Sequence, residues 1–280
     1  MQLFSKKLSQ IYLVLFVSAF LTITGNFTFF EKTILVYPLS ENWPFLGSLF
    51  LLLFTFLAAL LLIFCYKKTI KPILILLLLI SAIVSYSTNN YGIVFDHNMI
   101  TNTFETDTSE FLDLVSFKSI LYFFIFGLLP SVAVWKVKLK EISFKAQFWE
   151  RVKAFLILVV IIAVVLFSFY KHYSSFAREN YHLRTYTIPS YYLYSATKFV
   201  NSKLATSTRP FREVGLDAKI NKKSKQRRLV ILVVGETART DHMSLNGYDR
   251  NTNPYLGKEE IISFKKMTSC GTDTALSVPC

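Results

Sequence analysis

The stretch Ala154–Tyr170 (AFLILVVIIAVVLFSFY) is an almost unbroken run of Val, Ile, Leu and Phe. A helix of this length is enough to cross a hydrocarbon core of roughly 30 Å. Four other apolar blocks of similar length precede it, at about Ile11–Thr24, Trp43–Tyr66, Pro72–Tyr86 and Ser119–Trp135. The sequence therefore predicts an α-helical membrane domain with five transmembrane helices.

The composition agrees with a membrane protein, since 52% of the residues are hydrophobic and only 18% are charged. Soluble domains average about 25% charged residues. The net charge of +13 does not indicate nucleic-acid binding, because the lysines lie in short runs between the apolar blocks. The first block follows Lys6 and Lys7 as a signal peptide would, but no small-residue cleavage site follows it. We therefore expect an uncleaved first helix.

The positive charges also predict the orientation of the helices. If the five blocks cross the bilayer alternately, the basic residues of the N-terminus and of the second and fourth connections fall on one side. The positive-inside bias assigns that side to the cytoplasm. These residues are Lys6, Lys7, Lys67, Lys68, Lys71, Lys136, Lys138, Lys140, Lys145, Arg151 and Lys153. The connection 92–116 is acidic, and everything after Lys171 is expected to be extracytoplasmic.

A polar row lies in the acidic connection. Asn102, Thr106 and Glu110 are spaced i, i+4, i+8, so on a helix they share one face. An ordinary solvated helix at the membrane surface explains this spacing. A row of amide, hydroxyl and carboxylate groups that binds a lipid headgroup explains it as well.

The chain changes character after the basic run 221–228. Leu229–Val234 (LVILVV) is typical of a buried parallel strand, and Gly235 and Glu236 follow it directly. A carboxylate at the carboxyl end of such a strand suits metal binding, although it is also common as a helix cap or loop residue. We therefore predict the start of an α/β domain.

The last segment, Cys270–Cys280 (CGTDTALSVPC), begins like a helix whose capping oxygens precede Ala275. The hydroxyl of Thr274 at such a helix start could be a nucleophile towards phosphorus when a divalent metal lies beside it. An ordinary capping threonine gives the same pattern.

Three motifs resemble the lipid A phosphoethanolamine transferases of Gram-negative bacteria, the family that includes the mobile colistin-resistance enzymes. They are Asn102–Glu110 (NTFETDTSE), Val233–Arg250 (VVGETARTDHMSLNGYDR) and Cys270–Cys280. Their order, together with the five apolar blocks, extends the resemblance over the whole chain.

The resemblance implies roles for individual residues. Thr274 matches the nucleophile, which becomes modified with phosphoethanolamine, and Glu236 and Thr274 match zinc-contacting residues. Asn102, Thr106 and Glu110 match the residues that hold the lipid headgroup. Cys270 and Cys280 match a disulfide pair.

The implied reaction moves phosphoethanolamine from phosphatidylethanolamine to lipid A, which lowers the negative charge of the surface and weakens attraction for cationic peptides such as polymyxins. The implied protein is a monomer in the bacterial inner membrane, with a cytoplasmic N-terminus and a periplasmic C-terminal domain. The expected organisation is a membrane domain (1–170), an interfacial helix and linker (171–227), and the first part of a catalytic domain of the alkaline-phosphatase and sulfatase type (228–280).

One feature departs from the family pattern. The family's other zinc ligands, an adjacent Asp-His pair and further histidines, lie downstream of the nucleophile, and we expect a chain of 280 residues to be an inactive fragment. Two alternatives stay open from the residues alone. One is a related phosphoglycerol-type transferase, and the other is a non-catalytic multi-pass membrane protein such as a transporter subunit.

Overall fold

The computed structural model describes residues 7–105, 112, 114–204, 215–219, 229–235, 239–264, 268–271 and 277. The chain divides into two compact units, Met1–Ser207 and Thr208–Cys280. The described part of the first unit is helical, and that of the second unit consists of turns and short 3₁₀ segments.

The first unit has a helix at each of the five predicted apolar blocks and further helices between and after them. In chain order they are α1 (Gln10–Gly25), α2 (Phe27–Val36), α3 (Leu39–Phe64), α4 (Ile70–Tyr91), α5 (His97–Glu105), α6 (Phe117–Lys136), α7 (Phe144–Ser168), α8 (Tyr170–Glu179) and α9 (Ser190–Leu204). A 3₁₀ segment, Tyr181–Tyr186, joins α8 to the turn before α9.

Within the described residues, α3, α4, α6 and α7 are each long and apolar enough to cross a bilayer. The pair α1 and α2 meets the same criterion together, although the two helices are bent by 59° at Asn26. The five predicted spans correspond to these four helices and the bent pair. Many apolar side chains on them remain exposed, such as Phe167 at 84%, as expected of a surface that faces lipid.

Helix α6 changes geometry in its middle. Pro130 has no N–H, so the helical ladder before it relaxes into a π-helical turn, Phe124–Leu128, in which the Leu129 N–H donates to the Phe124 carbonyl oxygen. Gly127 lies in this turn against α4, where a Cβ atom on residue 127 would approach the Ala82 Cβ to 3.0 Å. The absence of a side chain at Gly127 therefore allows α4 and α6 to pack closely.

The core of the first unit lies between α1, α3, α4 and α7. Buried side chains from each of them form one cluster, which Leu13, Leu61, Leu74 and Leu158 represent. Tyr192 of α9 belongs to the same cluster. The segment that follows the spans therefore folds back onto the helical bundle.

Asn26 lies at the break between α1 and α2, and its side chain holds the returning segment in place. Its Nδ2 donates to the Ile188 carbonyl oxygen (2.8 Å), and the Ile188 N–H donates to the Asn26 Oδ1 (2.8 Å). The same Nδ2 lies 3.2 Å from the Leu21 carbonyl oxygen, at the end of α1. One buried amide thus satisfies backbone groups of two segments that are distant in sequence.

The prediction of a β-strand at Leu229–Val234 is wrong. These six residues have no strand assignment, and their side chains are 66–86% exposed. A strand of this apolar character needs neighbouring strands for its N–H and C=O groups, and no strand pairs with it among the described residues. The described secondary structure of the second unit consists of the 3₁₀ turns Thr240–His242, Ser244–Asn246 and Leu256–Lys258 and of the helical residue Ser277.

We predict that Asn26→Ala destabilises the first unit by about 2 kcal/mol or more, because it leaves two buried backbone groups of Ile188 without partners. The melting temperature of the detergent-solubilised protein should fall by roughly 4 °C or more. Asn201→Ala, at an exposed position of α9, is the matched control. A loss no larger than in the control would contradict the role of Asn26.

Candidate functional site

The predicted site residues are divided between the two units. Asn102 lies half-buried on α5 in the first unit, and Cys270 lies in the second. The other predicted site residues lie outside the described residues; they are Thr106, Glu110, Glu236, Thr274 and Cys280.

Helix α5 carries Asn102, the first residue of the predicted polar row. The carboxylate of Asp96 begins this helix, since its Oδ1 accepts a hydrogen bond from the Met99 N–H (2.8 Å). The N-terminus of a helix attracts negative charge, so the carboxylate also complements the helix dipole.

Helix α5 packs against α9 through one polar and one aromatic contact. His97 Nε2 and Ser202 Oγ are 2.9 Å apart. The rings of Phe104 and Phe199 are stacked at 5.5 Å with an interplanar angle of 9°. The position of Asn102 therefore depends on α9 as well as on its own helix.

A polar network connects the ends of α2, α4 and α6 beside the connection that contains α5. The Thr28 hydroxyl donates to Asn89 Oδ1 (2.6 Å), and the Lys118 ammonium donates to Asn90 Oδ1 (2.6 Å). Asn89 Nδ2 also lies 3.5 Å from the Tyr122 hydroxyl. These side chains hold together the helix ends at which the connection begins and ends.

Tyr192 attaches α9 to the bundle. Its hydroxyl lies 3.1 Å from Ser81 Oγ of α4, and burial raises the pKa of Tyr192. The hydroxyl therefore stays protonated and neutral at physiological pH. Burial, with a smaller contribution from Asp96, also raises the pKa of the neighbouring Tyr191.

In the second unit, the motif after Glu236 forms a compact turn. Arg239 donates two hydrogen bonds to the Asp241 carboxylate, at 3.1 and 2.6 Å, and His242 Nδ1 lies 3.1 Å from the same carboxylate. The His242 ring packs at 4.7 Å on Tyr248. The Thr252 hydroxyl donates to the His242 carbonyl oxygen (2.7 Å) and closes the turn.

Hydrogen bonds from Arg239 and then His242 lower the pKa of Asp241 from 3.8 to about 2. A lowered carboxyl pKa means that the folded turn favours the ionised form. The contribution of this carboxylate to stability is thus complete above pH 3.8 and is lost as the pH falls through about 2. The turn keeps the ion pair between Arg239 and Asp241 at any physiological pH.

The described residues include no group of three His, Cys, Asp or Glu side chains that could hold a metal ion. They therefore do not form a zinc site, since catalytic zinc sites generally use three protein ligands. Cys270 is disulfide-bonded, and Cys65 is free and buried. The specific pairing of Cys270 with Cys280 stays a prediction.

Sequence reasoning missed two of these arrangements. The pair Asn89 and Asn90, at the polar end of an apolar block, was a usable signal for a network at the helix ends. The charged residues Arg239 and Asp241 lie two positions apart in one motif, but nothing in the sequence indicated that they pair.

Comparison with known proteins identifies relatives along most of the chain. The family model described as phosphoethanolamine transferase EptA/EptB matches residues 53–204, and the sulfatase model matches residues 228–280. The chain is 37% identical to phosphatidylethanolamine transferase Mcr-1 of Escherichia coli and covers 52% of that protein with 99% of its own length. It is 30% identical to phosphoethanolamine transferase EptA of Escherichia coli (strain K12), covering 50% of that protein with 95% of its own length.

A solved structure is also similar. It is the integral membrane protein lipooligosaccharide phosphoethanolamine transferase A (EptA) from Neisseria meningitidis, at 29% identity and a TM-score of 0.87. The match covers 98% of this chain and 52% of that one. The chain thus spans about half the length of the relatives it matches. The helical membrane unit followed by the first part of a sulfatase-type α/β domain is confirmed as the fold class.

We predict that Phe199→Ala loosens α5, because the stacked Phe104 ring loses its partner on α9. Amide hydrogen exchange of residues 97–105 should become about 2- to 10-fold faster, as the loss of one aromatic pair implies. Phe167→Ala is the control, since this ring is exposed on the bundle surface. Equal exchange in α5 for both variants would show that α9 does not support it.

Proposed function

The chain belongs to the phosphoethanolamine transferase EptA/EptB family, and on that basis we propose that the complete protein transfers phosphoethanolamine from phosphatidylethanolamine to lipid A. The observation that carries the proposal is the likeness to the EptA structure, because it extends over 98% of this chain. The family match also favours a transferase over the transporter alternative.

We propose that the protein lies in a bacterial inner membrane with its N-terminus in the cytoplasm. Lysines from the N-terminus and from both basic connections meet at one surface of the first unit, as Lys7, Lys67 and Lys138 illustrate. Their convergence supports the positive-inside assignment. The acidic connection with α5, and the second unit after it, are then periplasmic.

The proposed reaction has two displacements at phosphorus. The Thr274 oxygen attacks the phosphorus of phosphatidylethanolamine, and the bond from phosphorus to the diacylglycerol oxygen breaks. Diacylglycerol leaves with the proton that Thr274 gives up. An oxygen of lipid A then attacks the phospho-threonine, the bond from phosphorus to Thr274 breaks, and the Thr274 oxygen takes up a proton that restores its hydroxyl group.

We propose that Asn102, Thr106 and Glu110 hold the ethanolamine headgroup. A carboxylate and an amide oxygen are suitable acceptors for an ammonium group. Support for this role comes from the way α5 is held, since Asp96 caps its first turn and α9 packs on its side. A held helix keeps the row in place when a lipid arrives.

We propose zinc as the cofactor of the complete protein, with Glu236 and Thr274 among the residues that contact it. Zinc in such a site would lower the pKa of a hydroxyl group and stabilise charge on phosphoryl oxygens. The described residues supply no site with three ligands, so no step above is assigned to the metal.

We predict that Thr274→Ala in the full-length protein lowers phosphoethanolamine addition to lipid A by at least about 100-fold, because the covalent intermediate cannot form. Mass spectrometry of lipid A from cells that express each form measures this directly. Thr274→Ser keeps a hydroxyl group and should retain part of the activity.

Unchanged addition in Thr274→Ala would remove Thr274 from the role of nucleophile. Phosphoglycerol addition in place of phosphoethanolamine would replace the proposed donor. Lack of any modification by the unaltered full-length protein, at confirmed expression, would contradict the proposed function itself.

Fusions of alkaline phosphatase test the proposed orientation. The enzyme requires an oxidising compartment, so a fusion after Lys225 should be active and a fusion after Lys68 should be inactive. Green fluorescent protein at the same two positions should give the reverse pattern. Activity after Lys68, with none after Lys225, would place the second unit in the cytosol and contradict the proposal.

A further inference from the structure

Two adjoining depressions occupy the lysine-rich surface of the first unit, and we call them together the basic cleft. Their volumes are about 470 and 750 Å³, and they share four lining residues. Seven lysines and one arginine line them against two glutamates. These charged residues are Lys7, Lys67, Lys71, Lys136, Lys138, Lys140, Lys153, Arg151, Glu141 and Glu150.

The wall of the basic cleft is built by hydrogen bonds between segments that are distant in sequence. The Leu8 N–H donates to the Lys138 carbonyl oxygen (2.9 Å), and the Lys140 N–H donates to the Leu8 carbonyl oxygen (2.9 Å). The buried Gln147 of α7 donates to the Gln10 side chain of α1. The lysines therefore extend from a fixed framework.

The basic residues of the basic cleft outnumber the two glutamates that line it. Among the residues that the structure describes, none of its lysines forms an ion pair with a carboxylate. Lys71 donates to the Trp135 carbonyl oxygen, which carries no net charge. Like charges held this close raise the electrostatic potential and attract an anion.

Arg151 lies at the inner edge of the basic cleft and is only 8% exposed. Its Nη2 donates to the Leu62 and Cys65 carbonyl oxygens, and its guanidinium group lies 5.3 Å from the centre of the Tyr66 ring. Within the part of the chain that the structure describes, its Nη1 is buried without a hydrogen-bond partner. A buried cation without a counter-charge is costly unless an anion comes close to it.

The neighbouring thiol cannot supply that negative charge. Burial raises the pKa of Cys65 to about 11, so the thiol stays neutral at physiological pH. An anion that binds in the basic cleft can therefore supply a counter-charge to Arg151.

An apolar groove of about 290 Å³ also has Arg151 in its lining. Aliphatic and aromatic side chains line it, and Arg151 lines both the groove and the basic cleft. The groove residues other than Arg151 are Leu62, Ile63, Tyr66, Phe148, Val152 and Phe155. An anion-attracting cleft beside an apolar groove fits a molecule with a negative head and an alkyl chain.

We propose that the basic cleft binds the phosphate of an anionic phospholipid, such as phosphatidylglycerol, with one acyl chain along the apolar groove. Basic pockets between membrane helices bind anionic headgroups in this way. A zwitterionic lipid fits less well, because its ammonium group would face the lysines. No residue that lines this site belongs to the proposed transfer site, and the proposal does not depend on the proposed function.

Native mass spectrometry of the delipidated full chain in detergent tests the proposal, with phosphatidylglycerol and phosphatidylcholine of identical acyl chains as probes. The phosphatidylglycerol concentration that gives half-maximal binding should be at least about 10-fold lower than the corresponding phosphatidylcholine concentration. Lys140→Gln/Lys153→Gln should weaken phosphatidylglycerol binding about 10- to 30-fold, since each lysine attracts the headgroup. Arg151→Gln should weaken it as well, provided that the variant folds.

The matched control is Lys171→Gln/Lys198→Gln, which removes the same charge from exposed positions outside the basic cleft. It should leave binding unchanged. Equal binding of the two lipids, or equal loss in both double variants, would overturn the proposal. Inorganic phosphate in the millimolar range should not displace phosphatidylglycerol; complete displacement would show that the cleft recognises free phosphate rather than a lipid.

Discussion

The buried side-chain amide of Asn26 is the interaction on which the arrangement of the first unit depends. Where a membrane-spanning helix is interrupted, backbone N–H and C=O groups lose their helical hydrogen-bond partners. Leaving these groups unpaired away from water costs free energy. The Asn26 amide reaches both the end of α1 and the backbone of Ile188. It thus sets where the chain returns to the bundle, and Tyr192 then attaches α9 to α4 through Ser81.

The position of the candidate lipid-binding row follows from this return. Helix α9 supports α5 through Phe199 and Ser202, and α5 carries Asn102. The opposite side of the connection is held by Asn90 and Lys118 at the ends of α4 and α6. A side chain on a surface connection is therefore placed by contacts that begin inside the bundle.

The sequence predicted the spans well because the length of an apolar run is set by the thickness of the bilayer and needs no knowledge of neighbours. It did not predict the bend at Asn26, since the partner of that amide is 162 positions away. The helix that carries Asn102 was predictable from the i, i+4, i+8 spacing of Asn102, Thr106 and Glu110. The prediction of a strand at Leu229–Val234 was wrong, because strand formation depends on pairing with other segments. The roles of Thr274 and Glu236 were predicted from motif likeness alone, because no local pattern establishes their chemistry.

The two ends of α4 show why one bundle can meet two kinds of lipid headgroup. This helix of 22 residues is roughly 33 Å long, so its ends reach opposite sides of the hydrocarbon core. At Asn89 and Asn90 the polar groups are amides and hydroxyls, and the nearby Lys118 is bonded to one of them. At the other end Lys71 joins a cluster of cations that no carboxylate among the described residues neutralises. A neutral, hydrogen-bonded end beside an acidic connection suits a headgroup that carries an ammonium, whereas an end with uncompensated cations suits an anionic one.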